Sequence, residues 1–339
     1  MTRADGAITL AHGAGGAASR RLLAEHVLPR LGADPAQPLL DAAPFTAPSG
    51  RLAITTDAHV VRPLAFPGGS IGSLAVHGTV NDLAAGGARA IVLTVALVLE
   101  EGLPLAVLDR ELDALATAAR EVGVQVVAGD TKVVERGRAD GMYVVTTGVG
   151  EVVADQALTP AAIRVGDRVL VSSPIADHGI AVLLAREDLG IDADVRSDSA
   201  SVWPVAEALI SACGRDLRCL RDPTRGGLAT TLNELAADGG LGSELDEEAV
   251  PVRDATRGAC ELLGLDPLVV ANEGCLVAVV APHAAAVALD VVRARSGGEW
   301  AALVGEVVDG PDGRVVARTG FGGRRVVDML TGDPLPRIC

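Results

Sequence analysis

Short apolar runs and amphipathic helical patterns alternate along this chain, and the alternation begins again near its middle. The run Ile91–Leu99 precedes an amphipathic stretch at Leu105–Glu121, and a second run follows at Val124–Ala128. Short apolar runs are typical of buried strands, and the amphipathic stretch predicts a helix. After a break at residues 152–162 the pattern resumes with Arg168–Ser172. We therefore predict helices and strands in two domains, which a length of 339 residues also favours.

Composition limits how these elements can pack. Hydrophobic residues make up 49% of the chain and aromatic residues only 2%, so we expect cores of Ala, Val and Leu. We place the domains at residues 1–155 and 156–318, followed by a flexible, glycine-rich tail at 319–339. Further patterns predict helices over Ser19–Leu31, from Ile71 onwards with Ser70 as the N-cap, after Asp177-His178-Gly179, over Asp222–Ala237 and over Pro282–Arg295. Strands are predicted over Leu52–Thr56, Tyr143–Gly148, Leu268–Ala271 and Cys275–Val280.

Charge and cysteine usage restrict the partners and the compartment. A formal net charge of −15 argues against nucleic acid or an anionic membrane as the main partner. The longest apolar run is too short to span a bilayer, and the N-terminus lacks the pattern of a signal peptide. Cys213, Cys219, Cys260 and Cys275 form no CxxC pair, so we expect buried thiols. The sequence therefore predicts a cytoplasmic protein that binds neither nucleic acid nor membrane.

Three aspartates carry the strongest chemical signal in the first half. Asp57 and Asp130 come at the ends of predicted strands, and Asp82 lies on a glycine-flanked helix after Asn81. Each alone is more simply a cap or turn residue, but converging carboxylates repel unless a cation lies among them. Hard oxygen ligands suit Mg²⁺, which bridges carboxylates to nucleotide phosphates. Lys132 is the single lysine among 29 Lys and Arg residues, and a lysine can either neutralise phosphate or lose its proton when desolvated.

A glycine loop near the N-terminus offers a second route to phosphate. The glycines Gly13, Gly15 and Gly16 precede a predicted helix, where backbone N–H groups can face an anion. The loop is not a Walker motif, so its signal is weak when taken alone.

The second half contributes two candidate residues. Arg225 stands at the start of the helix predicted at Asp222–Ala237, with Asp222 or Thr224 as its cap, and can contact an anion. Glu273 lies in a tight turn, Asn272-Glu273-Gly274, between apolar runs. A carboxylate there could bind a metal or transfer a proton, or it could equally be an ordinary turn residue.

The chain ends in Cys339, at the end of a stretch rich in glycine and proline. Residues 331–339, if extended, reach about 30 Å. Such a tail could carry one nucleophilic sulfur between a site on its own body and a site on a partner, unless the cysteine is merely the end of a frayed terminus.

Together these strings resemble the HypE family of hydrogenase maturation proteins. Most of the glycine and aspartate pattern belongs to a wider superfamily with aminoimidazole ribonucleotide synthetase and selenophosphate synthetase, whereas the terminal Pro-Arg-Ile-Cys singles out HypE. Ser70 departs from the family's Phe-Pro-Gly-Gly-Asp string. The matching segments are Gly13–Gly16, Thr56–Val61, Phe66–Gly69, Gly78–Ala85, Gly129–Val134, Asp177–Gly179, Arg221–Ala229, Asn272–Gly274 and Pro336–Cys339.

The resemblance implies a mixed α/β, two-domain fold. In that family the N-terminal strands build a β-barrel across a homodimer, the C-terminal domain is an α/β sandwich, and ATP binds between the domains. The resemblance also implies that Gly13, Gly15, Gly16, Asn81, Thr131 and Arg225 contact the nucleotide together with the three aspartates, which hold Mg²⁺.

The implied activity centres on the terminal thiol. The carbamoyltransferase HypF places a carbamoyl group on Cys339, and ATP then drives its dehydration to a thiocyanate. The cyano group passes to iron on the HypC–HypD complex and becomes a ligand of the [NiFe]-hydrogenase centre. Phosphorylation makes the amide oxygen a leaving group, and a base must remove the N–H protons. Lys132 and Glu273 are both candidates for that base.

Two other classes of function stay open from the sequence. Selenophosphate synthetase uses a Cys or selenocysteine near its N-terminus, whereas the first cysteine here is Cys213, and aminoimidazole ribonucleotide synthetase needs no terminal thiol. A non-catalytic scaffold that only carries a modified cysteine is disfavoured by the aspartates and the single lysine.

Overall fold

A computed structural model describes residues 6–34, 42–186, 189–191, 193–295, 297–310 and 313–329. The α-helices are α1 (Ala17–Leu22), α2 (Ile71–Ala85), α3 (Leu105–Val122), α4 (Asp177–Arg186), α5 (Trp203–Cys213), α6 (Gly227–Gly239), α7 (Asp254–Leu263) and α8 (Ala285–Arg293). The strands are β1 (Leu52–His59), β2 (Ala65–Phe66), β3 (Gly69–Ser70), β4 (Ala88–Glu100), β5 (Gln125–Val134), β6 (Met142–Val152), β7 (Arg168–Val171), β8 (Leu217–Arg221), β9 (Gly242–Asp246), β10 (Val277–Val280), β11 (Ala302–Val308), β12 (Val315–Arg318) and β13 (Arg324–Val326).

The first half is built on a four-stranded sheet in the order β1-β6-β4-β5. Its neighbouring strands are antiparallel except β4 and β5, which run parallel. Helix α2 packs on one face, and α3 packs against α2. Gly72 permits this close approach, because a Cβ at that position would lie 2.0 Å from the carbonyl oxygen of Glu111 on α3. The result is a sheet covered on one side by two helices.

The opposite face of this sheet is uncovered. Strand register places Ala58, Val145, Ala96 and Asp130 in one row across the four strands, on the face away from α2. On the same face Ile54 is 73% exposed. Apolar side chains on an open sheet face are unusual unless another surface covers them.

The second half is a seven-stranded mixed sheet in the order β13-β12-β9-β11-β7-β10-β8. Alternation along β7 sends Val169 and Val171 into a core with α6, and sends Leu170 into a core with α5 and α8. Since successive side chains of a strand point to opposite faces of a sheet, helices cover both faces of this one.

The two halves also share a core. Ile180 and Leu183 of α4 and Cys260 of α7 belong to the same buried cluster as Leu74 of α2 and Leu112 of α3. This packing fixes α2 against the second half, which matters below because α2 carries two of the predicted site residues. None of the helices in the described ranges is long and apolar enough to cross a membrane.

Several predicted elements are confirmed, and some boundaries are wrong. Helix α2 begins at Ile71 after Ser70, as predicted, and α3 matches its predicted range within one residue. Asp57 and Asp130 do not end their strands, because β1 continues to His59 and β5 to Val134. The predicted helix Ser19–Leu31 is α1 followed by a π-helical turn at Leu23–Val27.

Two predictions in the second half are wrong for a clear physical reason. The helix expected from Asp222 begins only at Gly227, because Pro223 precedes two glycines with positive φ, Gly226 at 71° and Gly227 at 60°. A Cβ at Gly227 would lie 2.5 Å from the carbonyl oxygen of Val270, so this glycine cannot be replaced without strain. The strand expected at Leu268–Ala271 is a 3₁₀ turn at Pro267–Val269 instead.

Two expectations about the larger architecture have different outcomes. The strands in the described parts of the first half form an open four-stranded sheet in a single chain, so the barrel expected across a homodimer stays a prediction. The predicted tail begins later than residue 319, because Arg324–Val326 forms β13 and pairs with β12. Residues 330–339, including Cys339, lie outside the described residues.

Candidate active site

The acidic residues and the lysine that are candidates for the site lie in two groups. The first, which we call the carboxylate cluster, lies where the two halves meet and consists of Asp57, Asp82, Asp222 and Glu273. The second, which we call the edge segment, consists of Asp130–Lys132 on the outermost strand β5.

Asp57 and Asp82 reach the cluster from neighbouring elements of the first half. Asp57 lies on the α2 face of β1, where its Oδ2 is 3.2 Å from the ideal Cβ position of Gly78 on α2. Asp82 lies on α2, and its Oδ2 accepts a 2.9 Å hydrogen bond from Thr55 Oγ1 of β1. Burial and the negative charges of Asp222 and Asp57 raise the pKa of Asp82 to about 7. Two carboxylates of the first half thus share a desolvated pocket of negative potential.

Asp222 and Glu273 complete the cluster from the second half. Asp222 follows β8, and burial raises its pKa, with a contribution from Asp57. Glu273 is 4% exposed, and burial together with Asp198, Asp222, Asp57 and Asp82 raises its pKa well above the usual range. Burial and the nearby negative charges thus raise the pKa of Asp82, Asp222 and Glu273, and a bound cation would relieve this cost of ionisation.

Two basic side chains border the cluster. Arg225 Nη2 lies 3.8 Å from Asp57 Oδ1, at the predicted anion-contact position, and its side chain is 73% exposed. His59 is 1% exposed, with Nε2 3.5 Å from Asp57 Oδ2, and neither ring nitrogen has a hydrogen-bond partner among the described residues. Burial lowers the pKa of His59, against the opposing effect of Asp57. A guanidinium that faces solvent beside buried carboxylates is well placed to meet a bound phosphate.

Asn81, which is predicted to contact the nucleotide, is buried where the two halves meet. It is 2% exposed, and its Nδ2 donates to the carbonyl oxygens of Ala200 (2.9 Å) and Glu273 (3.0 Å). Its Oδ1 accepts from the N–H of Val202 at 2.8 Å. The amide of Asn81 is therefore engaged with the main chain of the second half.

The edge segment is exposed. Asp130 and Lys132 both face solvent on the outer face of the sheet, and Asp130 Oδ1 accepts only a local 2.8 Å bond from the N–H of Thr131 among the described contacts. Thr131 points to the other face, because it pairs with buried Leu97. Lys132 is thus exposed as far as the described residues show.

The glycine loop packs beside the edge segment. A Cβ at Gly13 would lie 2.8 Å from Val133 of β5, so glycine is required there. Gly15 has a φ of 78°, and its N–H already donates to Ser19 Oγ at 2.9 Å. Gly16 is the N-cap residue of α1. The loop thus joins β5 rather than the carboxylate cluster.

Sheet geometry separates the two groups within one chain. Asp57 is on β1 and Asp130 is on β5, three strand spacings apart, which is about 14 Å. The register also puts them on opposite faces, since Asp57 aligns with Thr146, Val95 and Gly129 rather than with Asp130. Across the described ranges no three acidic, histidine or cysteine side chains converge closely enough to hold a metal ion. The structure therefore brings Asp57 and Asp82 together and leaves Asp130 apart.

The donor set of the carboxylate cluster suits magnesium bound to a nucleotide. Mg²⁺ prefers hard oxygen ligands and is held by one or two carboxylates plus substrate phosphates. Asp57 and Asp82 supply such oxygens, and burial together with the charges of Asp222 and Asp57 raises the pKa of Asp82 despite the opposing charge of Arg221.

Comparison with known proteins adds the family. Residues 40–152 match the AIR synthase related protein N-terminal domain, and residues 164–318 match the corresponding C-terminal domain. The carbamoyl dehydratase HypE of Azotobacter vinelandii is 49% identical over 342 aligned residues, which cover all of both chains. This chain belongs to the HypE family. The match spans the whole chain and so favours HypE over the other members of the superfamily.

Solved HypE structures share the fold. One HypE in complex with ATP superposes with a TM-score of 0.91 at 46% identity, over 97% of this chain and 99% of that chain. A HypE–HypF complex matches with a TM-score of 0.80 at 42% identity, over 82% of this chain and 90% of that chain. The mixed α/β, two-domain fold of the HypE family is therefore the fold of this chain.

Sequence reasoning missed two carboxylates. The sequence predicts Asp222 as a helix cap, because aspartate followed by proline is a favourable helix start, whereas α6 begins only at Gly227. Asp198 drew no attention, because it lies in a serine-rich stretch without periodicity. Its carboxylate accepts from the N–H groups of Glu273 and Gly274, both at 3.0 Å. The strand and helix patterns that guided the prediction carry no signal for a residue whose partners are distant loop amides.

Proposed function

We propose that this protein is an ATP-dependent carbamoyl dehydratase that converts an S-carbamoyl group on its own Cys339 to S-cyanocysteine, supplying the cyanide ligand of the [NiFe]-hydrogenase iron. The main support is its membership of the HypE family over its full length. The carboxylate cluster between the two halves supports the same conclusion, because it combines oxygen donors for magnesium with Arg225 for phosphate.

The terminal cysteine is the carrier in this proposal. The other four cysteines are buried, and burial raises the pKa of each thiol, for Cys219, Cys260 and Cys275 to about 11. The reactive species of a cysteine is its thiolate, so these thiols are poor nucleophiles. Cys339 stays the candidate that can meet both a carbamoyltransferase and the cluster.

The chain's own residues then divide the chemistry. Asp57 and Asp82 would hold magnesium together with ATP, and Arg225 would contact phosphate. Magnesium, when bound, offsets charge on the transferring phosphoryl group. Transfer to the carbamoyl oxygen gives a phosphate leaving group; the C–O bond breaks as the nitrogen loses its two protons, and a C≡N bond results. ATP is converted to ADP and phosphate, and no redox partner is needed.

Two residues compete for the role of base. Glu273 belongs to the carboxylate cluster, whereas Lys132 belongs to the edge segment about three strands away. Both act in the same reaction only if the edge segment reaches the cluster of another copy.

A homodimer would bring the two groups together. The open face of the four-stranded sheet carries apolar and threonine side chains such as Ile54, Val145 and Thr147, with Asp130 and Lys132 at its margin. A second copy packed face to face would bury this surface and close the two sheets into a barrel. In a twofold arrangement the edge segment of each chain then faces the partner. We assign Asp130, Thr131, Lys132 and the loop Gly13–Gly16 to this contribution across the interface.

The remaining partners follow from the chemistry of the tail. HypF would load the carbamoyl group, and the HypC–HypD complex would receive the cyano group, both in the cytoplasm, where the thiol stays reduced.

Intact-mass spectrometry tests the proposal directly. The protein is incubated with HypF, carbamoyl phosphate and ATP, first without and then with magnesium. We expect a carbamoyl adduct on Cys339 that converts to a cyano adduct only when ATP and magnesium are present. An adduct that forms but never loses the elements of water would leave the chain a carrier rather than a dehydratase.

A further inference from the structure

The segment Ser197–Val202, which we call the serine segment, crosses between the two halves directly behind Glu273. It precedes α5 and is bonded to both halves of the molecule. The Ser197 N–H donates to the carbonyl oxygen of Pro67 at 2.8 Å, and Ser199 Oγ is hydrogen-bonded to His77 Nδ1 of α2 at 3.0 Å. Ser197 Oγ is hydrogen-bonded to His178 Nδ1 of α4 at 2.8 Å. Hydrogen bonds therefore anchor the segment to both halves, although it belongs to no sheet.

The main chain of Glu273 is fixed from both sides by this arrangement. Its N–H donates to Asp198 Oδ1 of the serine segment, and its carbonyl oxygen accepts from Asn81 Nδ2 of α2, both at 3.0 Å. Gly274 completes the contact by donating to Asp198 Oδ2 at 3.0 Å. Glycine is required there, because a Cβ would lie 1.8 Å from the carbonyl oxygen of Asp198.

Asn81 links this arrangement to the carboxylate cluster. It binds the serine segment at Ala200 and Val202, and it binds Glu273, so one amide touches both. Asp82 is the next residue on α2 and faces the cluster. Because Asn81 and Asp82 are adjacent on α2, the hydrogen bond from Asn81 fixes the main chain of Glu273 relative to Asp82.

We propose that Asn81 and Asp198 are positioning residues that align Glu273 with the carboxylate cluster, and that Asn81 does not bind nucleotide. The inference rests on the proposed dehydratase function and on a role for Glu273 in it. Asn81 has no free donor, since both of its N–H groups are directed at main-chain carbonyls. A catalytic group displaced by about 1 Å can lose on the order of a hundredfold in rate.

A matched control exists in α6. Asn233 lies on a helix in the string Asn233-Glu234-Leu235-Ala236-Ala237, which parallels Asn81-Asp82-Leu83-Ala84-Ala85. Its Nδ2 donates to the carbonyl oxygens of Ala229 and Val327, both at 2.8 Å, away from the cluster. Asn81→Ala removes two such bonds and the bond that Asn81 Oδ1 accepts from Val202, whereas Asn233→Ala removes two. Both variants therefore report the structural cost of a lost buried amide, while only Asn81→Ala removes a contact with Glu273.

The experiment measures three quantities for each variant: single-turnover conversion of carbamoylated Cys339 at saturating ATP, calorimetric affinity for Mg-ATP, and melting temperature. Wild-type conversion is measured first; if it is absent, the proposed function fails, independently of this inference. With wild-type conversion established, we expect Asn81→Ala to slow conversion at least about tenfold while Mg-ATP affinity is kept. Asn233→Ala is expected to melt lower and convert at the wild-type rate.

Asp198→Asn provides a second route if Asn81→Ala does not fold. It keeps the shape of the side chain but replaces one acceptor oxygen with a donor, so one of the two loop N–H groups loses its partner. We expect slower conversion with retained Mg-ATP affinity here too. A double variant of Asn81→Ala with Glu273→Gln should be no slower than Glu273→Gln alone.

Three results would overturn the inference. One is weaker Mg-ATP binding by Asn81→Ala with an unchanged rate at saturating ATP, which would make Asn81 a nucleotide ligand. Another is an equal loss of rate in Asn233→Ala, which would make the effect a general consequence of stability. The third is multiplicative losses in the double variant, or full activity of Glu273→Gln.

Discussion

The carboxylate cluster and the edge segment carry the same kinds of residue in opposite surroundings. In the cluster, Asp82 and Glu273 are enclosed by both halves, and burial together with their acidic neighbours raises the pKa of each carboxyl group. On the edge segment, Asp130 and Lys132 face solvent beside an open apolar sheet. The carboxylate cluster is therefore enclosed within one chain, whereas the edge segment is left exposed. We infer that the edge segment acts on the carboxylate cluster of a partner subunit.

The largest expected effect comes from replacing Cys339, the proposed carrier, which belongs to neither group. Cys339→Ala should abolish the carbamoyl and cyano adducts completely, because the buried thiols cannot replace it, while Mg-ATP affinity stays at the wild-type value. Intact-mass spectrometry and calorimetry measure the two quantities on the same sample. A carbamoyl or cyano adduct on Cys213, Cys219, Cys260 or Cys275 would refute the assignment.

Replacement of the aspartates tests whether both regions serve the nucleotide. Asp57→Ala, Asp82→Ala and Asp130→Ala should each weaken Mg-dependent ATP binding, by about a hundredfold for the two cluster residues, since even outer-shell partners of a metal contribute 10–100-fold. Calorimetry with and without magnesium measures the change. Unchanged affinity in all three variants would rule out the site, and an unchanged value in Asp130→Ala alone would remove the edge segment from it.

Lys132→Arg tests whether the edge segment takes part in chemistry or only supplies charge. Arginine keeps the positive charge but is larger, planar and effectively never deprotonated. If Lys132 acts as a base or requires a close fit, single-turnover dehydration should fall by roughly a hundredfold or more, within the range for a general acid–base group. A near-wild-type rate would reduce Lys132 to an electrostatic role and favour Glu273 as the base.

A smaller effect should appear in the pH dependence of the cluster. Since the pKa of Asp82 is raised to about 7, magnesium must displace a proton below that pH, and Mg-ATP affinity should fall by up to about tenfold per pH unit. In the ligand-free chain the folded state binds this proton more tightly than the unfolded state, whose pKa is near 3.8. Its contribution to stability is therefore lost as pH rises from about 4 to 7.

Asp82→Asn is the control for that pH dependence. It should flatten the change in melting temperature over this range and remove the proton release that accompanies magnesium binding. A melting temperature that varies with pH identically in wild type and variant would show that Asp82 does not carry the shift.

The sequence predicted the composition of the site better than its geometry. Motif strings identified Asp57, Asp82, Arg225 and Glu273, because glycine-flanked acidic residues stand out against an alanine- and valine-rich chain. The separation of Asp130 from Asp57 depends on the strand order β1-β6-β4-β5, and a one-residue shift of register would have put them on the same face. No local pattern encodes strand order.

The same limit explains the helix starts and the missed residues. Ser70 was identified as an N-cap because capping is a local property. Asp198 was not identified, because its role comes from two amides more than 70 residues away in sequence. The start of α6 differs from the prediction because Gly226 and Gly227 have positive φ angles, and Gly227 closely approaches residues 268–270, which are distant in sequence.

The central claim, a site shared between two chains, is tested most directly by mixing two inactive variants. Asp57→Ala disables the carboxylate cluster of one variant, and Lys132→Ala disables the edge segment of the other. Unfolded together and refolded, the two should form heterodimers with one doubly altered site and one intact site, and the mixture should recover about a quarter of wild-type dehydration for random pairing. If both residues act within one chain, every site in the mixture stays defective. No recovery, with heterodimers verified by native mass spectrometry, would contradict the account.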